Sequence, residues 1–128
     1  MNEIVLKVKA LKAFQKDKPG KQFNSNDFAN VVNLKHGTDE NTRYLRQWEK
    51  RKGIKAKGCA NLNCDNHKSY DALQGAHVKI VGDADGRWYI TPLCHVCNSA
   101  DNKNLMAVYK EDLELFTVIK DIELCDGQ

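Results

Sequence analysis

Four of the five cysteines fall into two short pairs, Cys59-x4-Cys64 and Cys94-x2-Cys97, with 29 residues between the pairs. This spacing constrains the fold more than any other feature. Zinc takes four soft ligands in a tetrahedron, and two knuckles can supply them only if the intervening chain doubles back. The 29 residues provide for that. Residues 77–81 and 87–91 are rich in β-branched and aromatic side chains, and "GDADG" between them reads as a hairpin turn. A structural zinc held by Cys59, Cys64, Cys94 and Cys97 is therefore expected, and its binding energy becomes folding energy for the second half of the chain.

Other uses of these cysteines fit less well. A redox Cys-x-x-Cys follows a strand in a βαβ setting, and no such alternation is present. His67 and His95 are alternative ligands, but four thiolates already close the shell. Cys125, in the terminal "LCDGQ", is left over as an unliganded thiol. The chain start "MNEIVLKVKALKAF" has lysines throughout and lacks a signal-peptide pattern. No apolar run approaches the ~20 residues that span a bilayer. The reading is an intracellular, cytoplasmic protein, where cysteines stay reduced and serve metals rather than disulfides.

Charge divides the chain. Residues 1–57 carry 14 Lys+Arg against 6 Asp+Glu, a net +8, and residues 58–128 carry 6 against 11, a net −5. Contact with nucleic acid would therefore fall mainly to the first half, the alternative being two solvated surfaces. In that half, residues 3–14 suit either a short strand or a helix, with Ala10 and Ala13 favouring the helix. "KDKPGK" is a loop. Ser25 is placed to cap a helix containing Phe28, Val31, Val32 and Leu34, with Gly37 ending it. A second helix runs from a Thr38 cap to a Gly53 stop. It has Asp39 and Glu40 in its first turn and Arg51 and Lys52 in its last, as the helix dipole favours. Leu45 and Trp48 form its apolar stripe, and Arg43, Arg46 and Lys50 occupy another face. Two helices joined at a glycine form either a DNA-reading helix-turn-helix or a hairpin packed on a neighbouring domain. After the second cysteine pair, residues 98–104 read as a short helix, residues 105–109 as a strand, and residues 111–122 as a final helix with Leu113, Phe116, Val118 and Ile119 inward.

The order Cys59-x4-Cys64, "GAHV", "WYITPLCHVCN" resembles the HNH endonuclease superfamily in its zinc-stapled treble-clef form, over roughly residues 54–109. The resemblance implies an α+β fold: a knuckle, a β-hairpin and a helix, forming a treble-clef domain over residues 54–128 with a C-terminal helix. A basic, mainly helical region of residues 1–53 precedes it. The resemblance also implies His77 as general base on a water and Asn98 as the helix-borne ligand of Mg²⁺ or Mn²⁺, roles that suit imidazole and a hard amide oxygen.

Two positions depart from the family pattern. Ala76 stands where a second metal ligand belongs, and Tyr89 where an amide would orient the histidine. Asp83 and Asp85 fall in the hairpin turn, so Asp101 is the one replacement ligand on the face of Asn98. His77 has a plainer role bridging hairpin and helix, and Asn98 a plainer one as a helix cap.

Two functions follow. One is a metal-dependent nuclease with Arg43, Arg46, Lys50, Arg51 and Lys52 gripping phosphates and Trp48 or Trp88 stacking on a base. The other is a zinc module without full catalysis that binds nucleic acid or a protein partner. Such a small, two-faced protein suits an inhibitor or adaptor of phage or mobile-element origin.

Overall fold

The structure is a computed structural model that describes residues 4, 6–34, 43–65, 73–99 and 101–116. Two helices, α1 (Val8–Asp17) and α2 (Arg43–Lys52), accompany five strands: β1 (Phe28–Asn33), β2 (Leu73–Ile80), β3 (Trp88–Cys94), β4 (Met106–Tyr109) and β5 (Glu114–Phe116). The strands form one sheet in the order β4-β1-β2-β3-β5, and every neighbouring pair is antiparallel. Strands β4 and β5 are consecutive in the chain yet occupy opposite edges. From Tyr109 to Glu114 the backbone reaches at most ~17 Å, whereas four interstrand spacings of about 4.8 Å need ~19 Å. The sheet is therefore curled, with the 3-10 turn Lys110–Asp112 drawing its edges together.

Helix α1 confirms the helical reading of the first segment, burying Ala10 and Phe14 against Phe28, Leu62, Ala107 and Tyr109. Helix α2 matches its expected stripe and stop. Leu45 and Trp48 are buried, and Gly53, at φ 71°, donates its N–H to Glu49 O at 2.8 Å. The proposed Thr38 cap and first-turn acids lie outside the described residues. The hairpin β2–β3 is also as read, with Leu73 opposite Cys94 and Lys79 opposite Trp88. So is strand β4.

Three expected helices differ. Residues 25–34 form a single 3-10 turn, Ser25–Asp27, and then strand β1. The cap is Asn24, whose Oδ1 accepts from Asn26 N at 3.0 Å, so the turn starts one residue early. β1 lies between β4 and β2 and is buried on both faces over Phe28, Ala29, Asn30 and Val31. A strand covered on both sides loses the alternation that identifies strands, and Phe28, Val31 and Val32 imitate a helical stripe. The sheet thus draws strands from both sides of residue 53.

The helix expected over residues 98–104, which would complete a treble clef, is replaced among the described residues by turns. Asp101 N donates to Ser99 Oγ (3.1 Å) and Asn104 N to Asn102 Oδ1 (3.1 Å). Short polar side chains that bond nearby backbone groups compete with the helical ladder. The last expected helix begins instead as Lys110–Asp112 and β5, because β5 pairs with β3 and Phe116 packs beside Trp88. Val118 and Ile119 lie outside the described residues.

Both sheet edges are plugged. Lys52 Nζ donates to Leu113 O (2.8 Å), Arg51 Nη1 to Leu115 O (3.2 Å) and Leu62 N to Ala107 O (2.9 Å). Open edges recruit other strands, so these contacts protect the fold from pairing with other chains.

Candidate metal centre and adjoining cleft

The two knuckles converge because each is tied to the sheet. Ala60 N donates to Pro92 O at 2.7 Å, fixing the first knuckle on β3, and Asn98 N donates to Cys94 O at 2.9 Å, closing the second. The Sγ atoms of Cys59, Cys64, Cys94 and Cys97 all lie within 4.8 Å of one another. Cys64 and Cys94 are 3.6 Å apart at sulfur. A metal–sulfur distance of ~2.3 Å in a tetrahedron puts sulfurs ~3.8 Å apart, whereas a disulfide needs about 2.05 Å. All four are free thiols in this arrangement. The cluster can hold a metal ion, and His95 is not part of it. His67 and Cys125 lie outside the described residues.

Electrostatics within the cluster point the same way. The Cys97 thiol is pulled down to about 5, first by its hydrogen bond with Cys59 and against the opposing effect of burial. Asn61 adds a donor, Nδ2 to Cys97 Sγ at 3.4 Å. Cys59 is pushed the other way, by the same Cys97 bond and then by burial. One thiolate is thus stabilised and a second beside it is opposed, a conflict that a divalent cation among the sulfurs relieves.

A supporting ring of amides surrounds the second knuckle. Asn33, on β1, donates through Nδ2 to Cys97 O at 2.6 Å and more weakly to Ser99 O and Asn102 O, at 3.5 and 3.4 Å. Asn102 Nδ2 also reaches Cys97 O at 2.8 Å. Asn33 is not legible as a supporting residue from sequence, because its segment imitates a helical stripe. Asn61 is legible, since an amide inside a cysteine knuckle is a readable signal, but it does not figure among the expected site residues.

His77 and Asn98 are not brought together. His77 is 5% exposed, and its ring packs on Tyr44, Phe116 and Trp88 at centroid distances of 4.4, 5.0 and 6.1 Å. Asn98, also 5% exposed, donates Nδ2 to Gln74 Oε1 at 3.0 Å. Residues 74 to 77 of β2 pair one-for-one with β3 and contain no bulge, so Gln74 and His77 face opposite sides of the strand. Ala76 is fully buried, and Asp101 is exposed. Asp83 and Asp85 are engaged with Arg87 at the hairpin turn.

The basic residues of α2 divide. Arg51 and Lys52 lie 3.9 and 3.4 Å from the Glu114 carboxylate, besides their bonds to Leu115 O and Leu113 O. Arg43, Arg46 and Lys50 are exposed. Trp48 is buried and donates Nε1 to Asp112 O (2.9 Å), and Trp88 is half-buried. No helix among the described residues is long and apolar enough to cross a membrane.

Between the knuckles and the loop before β4 lies an open cleft of about 870 Å³. Six amide side chains line it: Asn61, Asn63, Gln74, Asn98, Asn102 and Asn104. Comparison with protein-family models, with curated proteins and with solved structures found no match for this chain.

Proposed function

We propose that the chain is a zinc-stapled module that binds nucleic acid without hydrolysing it. The observation that carries this reading is the pairing of a complete four-sulfur cluster with a His77 and an Asn98 that face opposite sides of β2. Four thiolates in a tetrahedral grouping suit zinc over harder divalent ions, and they leave no open position for a water nucleophile. Zinc there fastens two knuckles onto a hairpin, which is what remains of the HNH likeness. A hydrolytic site would need His77 and a hard-ligand cation within reach of one phosphate. Exposed Arg43, Arg46 and Lys50 at i, i+3 and i+7 on α2, together with the lysines of α1, supply the phosphate contacts that hold a strand without reading its sequence.

The test uses the purified 128-residue protein. Elemental analysis is expected to find one zinc per chain, lost when Cys94 is replaced by serine. Nucleic-acid affinity is expected to fall steeply with salt, as counterion release requires. No cutting of plasmid is expected in Mg²⁺ or Mn²⁺. Cleavage that disappears in His77→Ala would establish the nuclease reading instead, and a salt-independent response would move the partner from nucleic acid to protein.

A further inference from the structure

We propose that the cleft beside the knuckles takes an unpaired base of single-stranded nucleic acid, an inference that rests on the nucleic-acid reading above. The volume, about 870 Å³, falls within the range of small-molecule sites. The lining is specific in kind. Three of its amides are committed to holding the knuckles: Asn61 to Cys97 Sγ, Asn98 to Gln74, and Asn102 to Cys97 O. Three keep capacity. Gln74 commits its oxygen to Asn98 and retains its NH₂, Asn63 has its Oδ1 buried and retains its NH₂, and Asn104 is exposed. Asn104 thus offers a donor and an acceptor side by side, the pattern that meets the edge of a base, and Gln74 and Asn63 add donors.

Apolar groups stand beside them. Val96, at the tip of the second knuckle, is 60% exposed and Leu105 is 41% exposed, and both line the cleft. A large exposed aliphatic next to unspent amides suits a flat ligand with an apolar face and a polar edge.

Charge places the rest of the strand. Asp65 and Asp101 line the cleft and oppose a phosphate inside it, although Asp65 is paired with Lys9 at 2.6 Å. Lys7 is on the lining, and Lys12 and Lys16 follow on the exposed side of α1. The base enters and the phosphates stay outside along α1. Bases stacked within a duplex cannot enter, so the site selects single strands.

The test is fluorescence anisotropy with a short end-labelled single strand and with its duplex, using zinc-loaded protein and its Val96→Asp and Asn104→Leu variants. Both substitutions are at surface positions, and zinc content checks that each variant is intact. The single strand is expected to bind about tenfold tighter than the duplex, and Val96→Asp to remove about that factor for the single strand alone. Equal affinity for both forms, or single-strand binding unchanged in both variants, overturns the cleft assignment and leaves the nucleic-acid reading standing. Binding of neither form at low salt overturns the nucleic-acid reading, and the cleft assignment with it.

Discussion

Replacing Gly75 with alanine sets two physical effects of opposite sign against each other. Gly75 lies within β2, opposite Pro92, with a backbone that needs no left-handed angle. On local grounds alanine is the better strand residue, since it lowers the entropy of the unfolded chain by about 0.5–1 kcal/mol. Packing says otherwise. A Cβ at this position would lie 2.3 Å from Leu45 N, 2.4 Å from Tyr44 C and 2.7 Å from Tyr44 Cβ. Two of these three atoms are helix backbone, which no rotamer change can move aside. Restoring contacts of ~3.5 Å requires α2 to retreat by about 1.2 Å. The helix would carry Leu45 and Trp48 out of the core and Tyr44 away from the His77 ring.

Overpacking of this kind costs about 1–3 kcal/mol, and a displaced backbone falls at the upper end. After the local gain is subtracted, Gly75→Ala is expected to destabilise the protein by about 2 kcal/mol, or a melting temperature lower by about 7 °C. The assay is urea unfolding of metal-loaded protein at a fixed free metal concentration, because release of a structural metal is coupled to unfolding. Fluorescence of buried Trp48 is the signal. A variant as stable as the parent, or more stable, would refute the close approach of α2 to β2.

Three further perturbations have worked directions. Asn33→Ala removes a donor shared by three carbonyls of the second knuckle and is expected to cost about 1–2 kcal/mol and to speed zinc loss to a chelator; Asn33→Asp, which turns an acceptor toward those carbonyls, is expected to cost more. Tyr109 is held above its usual pKa, first by burial and then by its hydrogen bond to Asp17 Oδ2 at 3.0 Å. Its contribution is complete below about pH 10 and is lost as pH rises beyond it, by about 1.4 kcal/mol per unit; urea midpoints measured up to about pH 11 are expected to fall more gently in Tyr109→Phe. Removing metal with a strong chelator is expected to collapse the tertiary signal of Trp48, since the first knuckle is tied to β3 through Ala60; unchanged fluorescence would show that the knuckles are not needed for the core.

What could be read from the residues alone followed from how local each signal is. The cysteine pairs, the hairpin and α2 each announce themselves within a few positions: two thiols, a Gly-flanked acidic turn, a Leu45–Trp48 stripe ending at Gly53. β1 was hidden because a strand buried on both faces has no period of two, and its pairing partners lie over 40 residues away in sequence. The stretch after Cys97 misled for another reason. Asn98 is a good helix cap, but the side chains of Ser99 and Asn102 accept from the backbone N–H groups of Asp101 and Asn104 and hold the chain in turns. The cleft is not legible in the residues alone, because a concave surface is made by tertiary packing.

One register decides both the packing of α2 and the fate of the proposed catalytic pair. With Gly75 opposite Pro92, the one position on β2 without a side chain faces the backbone of α2. The same register sends His77 to that side, into the rings of Tyr44, Phe116 and Trp88, and sends Gln74 to the other side, where Asn98 holds it. Bringing His77 round to Asn98 would take a slip of one residue, because side chains alternate with a period of two. That slip would drive Gln74 or Ala76 into the space that only glycine can leave open for α2. The contact that admits the helix is therefore the contact that keeps His77 from Asn98, and loosening one without the other is not available to this sheet.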